Sequence, residues 1–193
     1  MQTTTGTSLT DDASSLPEAS SHRIMALWVA VALAVFAADQ GTKWWAQTTL
    51  PESGPQPILG DWLQLRLTHN PGAAFSLGTG YTVVLSFIAL AVIVVCVTMS
   101  RRIRSAGWAT ALGLLLGGAL GNVTDRIFRE PGPLRGQVVD FLQLPNWPVF
   151  NLADSAICVA AALFVVLSLR GVHLDGTVEG DRVNERNDRA PVP

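Results

Sequence analysis

Four apolar stretches, each close to the roughly 20 residues a helix needs to cross a hydrocarbon core, dominate this chain. They run from about Ile24 to Trp45, Tyr81 to Met99, Ala106 to Thr124 and Val149 to Leu169. The second and third carry no charge. Asp39 and Lys43 interrupt the first only near its end, and the fourth contains Asp154 alone. Charged residues make up 15% of the 193 positions, against about 25% in a typical soluble domain. The pattern predicts a membrane all-α protein of four transmembrane helices, forming one domain over residues 23–170. Residues 1–22, rich in Thr, Ser and Asp, and residues 171–193 lack hydrophobic periodicity and are predicted to be disordered tails. The first stretch follows a long polar tail, carries an acid and a base near its end and has no A-x-A-like cleavage site there, so it is expected to be an uncleaved span and not a signal peptide.

A formal net charge of −2 gives no basic footprint for a nucleic-acid partner. His22, His69 and His173 are too scattered to build a metal site from His pairs, and neither metal nor cofactor is expected. Cys96 and Cys158 each sit inside an apolar run and read as small buried hydrophobes. The short connection between the second and third spans holds Arg101, Arg102 and Arg104, with Arg23 and Arg170 on the same side. By the positive-inside rule this side is cytoplasmic, with both termini, and the 1–2 and 3–4 connections are external. In the 1–2 connection Leu63, Leu65 and Leu67 alternate with Gln64, Arg66 and Thr68, the period of a half-buried strand. A small external sheet is expected there, followed by a turn at Asn70-Pro71-Gly72.

Four clusters of unusual residues converge on one membrane face once the spans are counted. They lie at the end of helix 1 (Asp39 to Lys43), before helix 2 (Asn70 to Phe75), at the end of helix 3 (Gly118 to Arg126), and around helix 4 (Val138 to Phe141 and Phe150 to Asp154). Ionisable groups at membrane depth mark function by default. Asp39 and Lys43, four residues apart on a helix, are spaced as an ion pair and read as structural. Asp125, directly followed by Arg126 and near other arginines, reads as a charge-paired structural acid, while Arg126 is also placed to hold a substrate carbonyl. Asp140 and Asp154 have apolar neighbours and no basic residue close in sequence. Such a pair can share one proton and divide base and acid work between its members. Spacing alone leaves open whether they form a dyad or are two unrelated polar anchors. Asn122 and Asn151 stand near the acids and could orient either a peptide or the dyad. Gly113, Gly117 and Gly121, four residues apart, read as a helix-packing motif.

The motifs D-Q-G-T-K-W (Asp39–Trp44), N-P-G-A-A-F-S (Asn70–Ser76), G-G-A-L-G-N-V-T-D-R (Gly117–Arg126), V-V-D-F (Val138–Phe141) and F-N-L-A-D-S-A-I (Phe150–Ile157) occur in this order over four spans. Together they resemble the lipoprotein signal peptidases, or signal peptidase II, from about Leu33 to Val166. The resemblance implies a four-helix bacterial inner-membrane protein with an extracytoplasmic β-cradle between helices 1 and 2. It implies a hydrolase that removes the signal peptide of diacylglyceryl-modified prolipoproteins, cutting before the lipid-bearing cysteine. Its catalytic aspartates correspond to Asp140 and Asp154, which separates Asp140 from Asp125. Its pocket residues correspond to Asn70, Asn122, Asn151 and Arg126. The implied partners are the lipid bilayer and prolipoprotein substrates, and a monomer is expected. Residues 129–137 form a longer connection than the family pattern leads one to expect, as does the N-terminal tail.

Two other functions compete. A serine–lysine peptidase needs a serine beside a lysine of depressed pKa, and Lys43 is the only lysine. A small transporter using intramembrane acids would place them near the midplane, whereas Asp140 and Asp154 lie near helix boundaries on one face.

Overall fold

The structure, a computed structural model, describes residues 16–51, 54–72 and 81–179. Its elements are α1 (Leu16–Thr49), β1 (Gln56–Leu59), β2 (Leu63–Asn70), α2 (Thr82–Ser100), α3 (Ala106–Phe128), β3 (Val138–Gln143) and α4 (Leu152–Leu169). All four helices are long and apolar enough to cross a membrane. The expected tails at 1–15 and 180–193, and Ala73–Ser76 of the second motif, lie outside the described residues.

Burial along α2 is inverted relative to a water-soluble helix. Its buried residues are Thr82, Ser86, Cys96 and Ser100, while Val84, Phe87, Ile88, Val94, Val95 and Val97 are exposed. A helix hydrophobic on its outer face is stable only against lipid. The helix at the centre is α3: 56% of its apolar window is buried, against 17% in each of the other three, and it packs on α1, α2 and α4. Small residues make that position possible. A Cβ on Gly117 would stand 2.6 Å from the Ala32 carbonyl oxygen of α1, and one on Gly118 would stand 2.7 Å from that of Ala153 in α4. At Gly121 it would meet the Asp39 carboxylate. The glycine spacing thus lets two neighbouring helix backbones approach α3 closely.

Three antiparallel strands in the order β1-β2-β3 form a small sheet over the end of the bundle where α1 and α3 finish and α4 begins. The alternating Leu63–Thr68 segment forms β2 as expected. β3 comes from the 3–4 connection, a strand that the 1–2 connection alone does not predict, and its Val138, Val139, Phe141 and Leu142 suit a buried strand. Thr68 pairs with Asp140 and Asn70 with Val138, with one extra residue in β2 between Leu65 and Thr68. Trp44, Trp62 and Trp147 are exposed at this same end of the fold, as expected of side chains in a membrane–water interface.

Regular backbone structure continues outside residues 23–170 at both ends. α1 already begins at Leu16. After α4, Val172 bridges Val178, the Leu174 carbonyl accepts from the Arg104 and Ser105 amides, and Trp108 Nε1 donates to the Val172 carbonyl at 2.9 Å. Backbone bonding, more than hydrophobic pattern, orders this stretch, and it therefore leaves no periodicity in the sequence.

Gly117→Ala should destabilise the fold by about 1–3 kcal/mol, the usual penalty for overpacking. Gly41→Ala, where a Cβ would meet nothing within 4 Å, should be neutral or slightly stabilising. Thermal unfolding of both variants in detergent checks the contrast.

Candidate active site

The network begins at a fully buried lysine. Lys43 Nζ donates to Asp39 Oδ2 at 2.8 Å, Asp125 Oδ2 at 2.8 Å and Asn122 Oδ1 at 2.9 Å. An ammonium has three protons, and each has an acceptor. Asp125 Oδ1 takes a second cation, Arg129 Nε, at 2.6 Å, so two carboxylates and two cations balance. Asp39 Oδ1 accepts from the Ala153 amide at the start of α4 at 3.0 Å. Asp125 Oδ2 also accepts from the Val139 amide of β3 at 3.3 Å. This cluster therefore joins α1, α3, α4 and the sheet.

Asn122 carries the order of that cluster to Asp154. Because its Oδ1 is taken by Lys43 and by Asn151 Nδ2 (3.2 Å), its Nδ2 must face the other way, where it donates to Asp154 Oδ1 at 2.8 Å. Asn151 is oriented just as tightly. It caps α4: its Oδ1 accepts from the Asp154 amide at 2.9 Å, and its own amide donates to Asp154 Oδ2 at 3.3 Å, the reciprocal pair of a capping box. That leaves Asn151 Nδ2 to donate to Asp140 Oδ1 at 2.6 Å. Asn70 closes the arrangement. Its Oδ1 holds the Gly72 amide in the turn after β2, where Gly72 has φ +106°, and its Nδ2 donates to Asp140 Oδ2 at 2.8 Å.

Asp140 and Asp154 are thus brought together with Asn151 between them, one on a strand and one in the first turn of a helix. Asp140 is only 1% exposed, while Asp154 is half-buried. Burial, reinforced by the charge of Asp154, pushes the Asp140 carboxyl up to about 7 against the pull of the hydrogen bonds from Asn70 and Asn151. A cleft of about 250 Å³ lies beside it, lined by residues that include His69, Asn70, Asp140 and Val149. Arg126 feels the charges of Asp140, Asp154 and Asp125. Its Nη1 is buried without a hydrogen-bond partner among the described residues. Asp125 pairs with Lys43 and Arg129 and not with the adjacent Arg126, whose Cα lies too far round the helix.

All nine polar residues singled out from the sequence fall in or beside this cluster. Arg129 escaped notice, although its i, i+4 spacing from Asp125 is visible in the sequence. Gln47, which accepts from Arg129 Nη1 at 2.5 Å and faces His69 Nε2 at 3.4 Å, left no such signal. The N-x-x-D pattern of Asn151 and Asp154 was a readable cap.

The chain matches the family described as signal peptidase (SPase) II over residues 31–170. The lipoprotein signal peptidase of Streptomyces griseus is 51% identical over 160 residues, covering 83% of this chain and 81% of that protein. The chain belongs to the lipoprotein signal peptidase family. It is therefore a protease, and the transporter alternative finds no support. The lipoprotein signal peptidase of Mycobacterium avium is 46% identical over 91% of this chain and 96% of its own length. Among solved structures, a bacterial membrane enzyme determined by the in meso method at 1.9 Å resolution superposes with a TM-score of 0.65 and 27% identity, covering 74% of this chain and 92% of that one. A second bacterial membrane enzyme, at 2.3 Å resolution and 23% identity, shares the fold with a TM-score of 0.65 and covers 86% of this chain and 94% of that one.

The raised Asp140 carboxyl makes stability depend on pH. Between its ordinary value of 3.8 and about 7 the folded signal peptidase binds more protons at this site than the unfolded chain. Stability from this site is thus full below the ordinary value and lost as pH rises through about 7. Asp140→Asn should flatten that part of the decline, measured as the slope of melting temperature against pH in detergent. Asn151→Ala should lower the melting temperature at every pH, since the lost cap alone is worth roughly 1 kcal/mol.

Proposed function

We propose that this chain is an aspartic endopeptidase that removes signal peptides from diacylglyceryl-modified prolipoproteins, cutting before the lipid-bearing cysteine. Asp140 and Asp154 are its catalytic residues. The observation that carries the reading is the Asn151 side chain, which donates to Asp140 while capping the helix whose first turn carries Asp154. One rigid amide thereby fixes the relative placement of two carboxyls, as proton sharing between them requires.

In this reading Asp140, the more buried acid, holds the shared proton and donates a hydrogen bond to the scissile carbonyl oxygen. Asp154, the more accessible one, takes a proton from water as it attacks the carbonyl carbon. Collapse of the tetrahedral intermediate returns that proton to the leaving amine. Arg126, with its unpartnered Nη1, holds a substrate carbonyl, and Asn70, Asn122 and Asn151 keep the two acids oriented. Asp39, Lys43 and Asp125 are structural: they tie α1 and α3 to the strand and the helix that carry the acids.

The serine–lysine alternative meets an obstacle in the same cluster. Each proton of Lys43 is committed to an acceptor, none of them a serine hydroxyl. A lysine base must turn a free lone pair toward its nucleophile, and no direction around this nitrogen is left for one. The Arg101–Arg104 cluster at one end and the exposed tryptophans at the other support a cytoplasmic-membrane protein with cytoplasmic termini and an extracytoplasmic site. At that surface a lipid-anchored substrate arrives from the bilayer and water from outside. The reading takes the chain as a monomer and assigns it no cofactor.

Incubating the purified protein with a lipid-modified prolipoprotein tests the proposal. Asp140→Asn and Asp154→Asn should each reduce turnover by roughly 10²-fold or more; normal cleavage by either would exclude the dyad. Equal cleavage of the unmodified precursor would exclude the lipid-dependent specificity. Activity should fall as pH rises through about 7, when Asp140 loses its proton. Asp125→Asn should mainly lower the yield of folded protein and leave turnover per folded molecule far less affected.

A further inference from the structure

The end of the bundle away from the acids carries a feature that peptide hydrolysis does not use. A groove of about 490 Å³ opens over α3, walled by α2 and α4, within the roughly 300–1,000 Å³ of ligand pockets. Ile88, Ala91 and Val95 line it from α2, Trp108 and Leu112 from α3, and Phe164 from α4. Every lining side chain is apolar, and the Trp108 ring stacks on Phe164 with centroids 5.5 Å apart.

Its length and its mouth say what fits. Along α2 the groove extends from Ile88 to Met99, about 16 Å at 1.5 Å rise per residue. That is close to half of a hydrocarbon core about 30 Å thick. A membrane-crossing peptide would need the full thickness, whereas an acyl chain of a single leaflet needs half. Just beyond Met99 stand Arg101, Arg102 and Arg104, all exposed. Among the described residues none of the three has a carboxylate partner, as the ion pairs involve only Lys43, Arg129 and His173. Arg104 is partly occupied by the carbonyls of Arg101 and Ile103, which leaves Arg101 and Arg102 as the open cations. Guanidinium groups bind phosphate oxygens strongly, and basic residues at a membrane surface attract anionic lipid.

We propose that this groove, with Arg101 and Arg102 at its mouth, binds one anionic phospholipid from the leaflet opposite the acids, an acyl chain lying along α2 and the phosphate on the arginines. The site is independent of the dyad and of its substrate.

Native mass spectrometry of the full chain, released from detergent and titrated with phosphatidylglycerol or phosphatidylcholine of the same acyl chains, tests it. One saturable phosphatidylglycerol is expected, bound at least about tenfold more tightly than phosphatidylcholine. Arg101→Gln with Arg102→Gln should abolish the preference. Ala91→Trp, which fills the groove from an exposed wall, should abolish saturable binding, with Val95→Trp as a second filling variant should the first unfold on heating scans. Equal binding of the two lipids, or phosphatidylglycerol binding that survives groove filling in a folded variant, overturns the proposal and leaves only annular lipid. A dimer lost on groove filling overturns it in favour of a second copy of this chain.

Discussion

The ammonium of Lys43 is the point on which the arrangement of this membrane peptidase depends. A lysine with 0% exposure is tolerated only if its charge and all its protons are satisfied, and the acceptors come from two different helices. Satisfying them sets the rotation of α1 against α3, which the glycines of α3 permit by allowing close approach. Each carboxylate of the cluster then reaches outward with its remaining capacity: Asp39 to the first turn of α4, Asp125 to the backbone of β3. One buried charge thus positions the two elements on which Asp140 and Asp154 are carried.

Among the described residues, asparagine side chains carry the hydrogen bonds from this charged cluster to the two carboxyls. That chemistry matters. An amide has a donor end and an acceptor end, so an asparagine whose oxygen is engaged by a cation or a helix amide presents its nitrogen in one direction only. Asn122 and Asn151 are both fixed in this way, and both aim their nitrogens at carboxylates. A cation in their place would hold the acids as firmly but would lower their pKa and end proton exchange. Amides pull less strongly than a full charge would, and burial keeps the Asp140 carboxyl up at about 7.

Much of this was legible in the chain. Hydrophobic stretches of membrane length place the helices within a few residues except at the start of α1, and counting them is enough to put all the polar clusters on one face. The pairing of Asp39 with Lys43 follows from helical spacing. What the sequence does not display is long-range: that Lys43 also reaches Asn122, 79 residues away, or that β3 completes a sheet begun before α2. Short segments such as Val138–Phe141 are ambiguous in isolation. The partner of Asp125 is a different, local case: adjacency to Arg126 looks like pairing, whereas helical spacing brings Arg129 round instead.

In the proposed mechanism, the unequal burial of the two acids reconciles two demands that conflict elsewhere in a membrane. A carboxyl keeps its proton near neutral pH only where water is scarce, yet hydrolysis consumes water. In mid-bilayer the first demand is met and the second is not; on an exposed loop the reverse holds. Here Asp140, on the sheet strand β3, is almost fully covered, while Asp154 in the first turn of α4 is half-buried. The tryptophans exposed at this end suit a membrane–water interface, where indole rings settle. An α4 that began one turn later would carry Asp154 out of capping register with Asn151, so the capping box fixes the position of this acid as well as starting the helix.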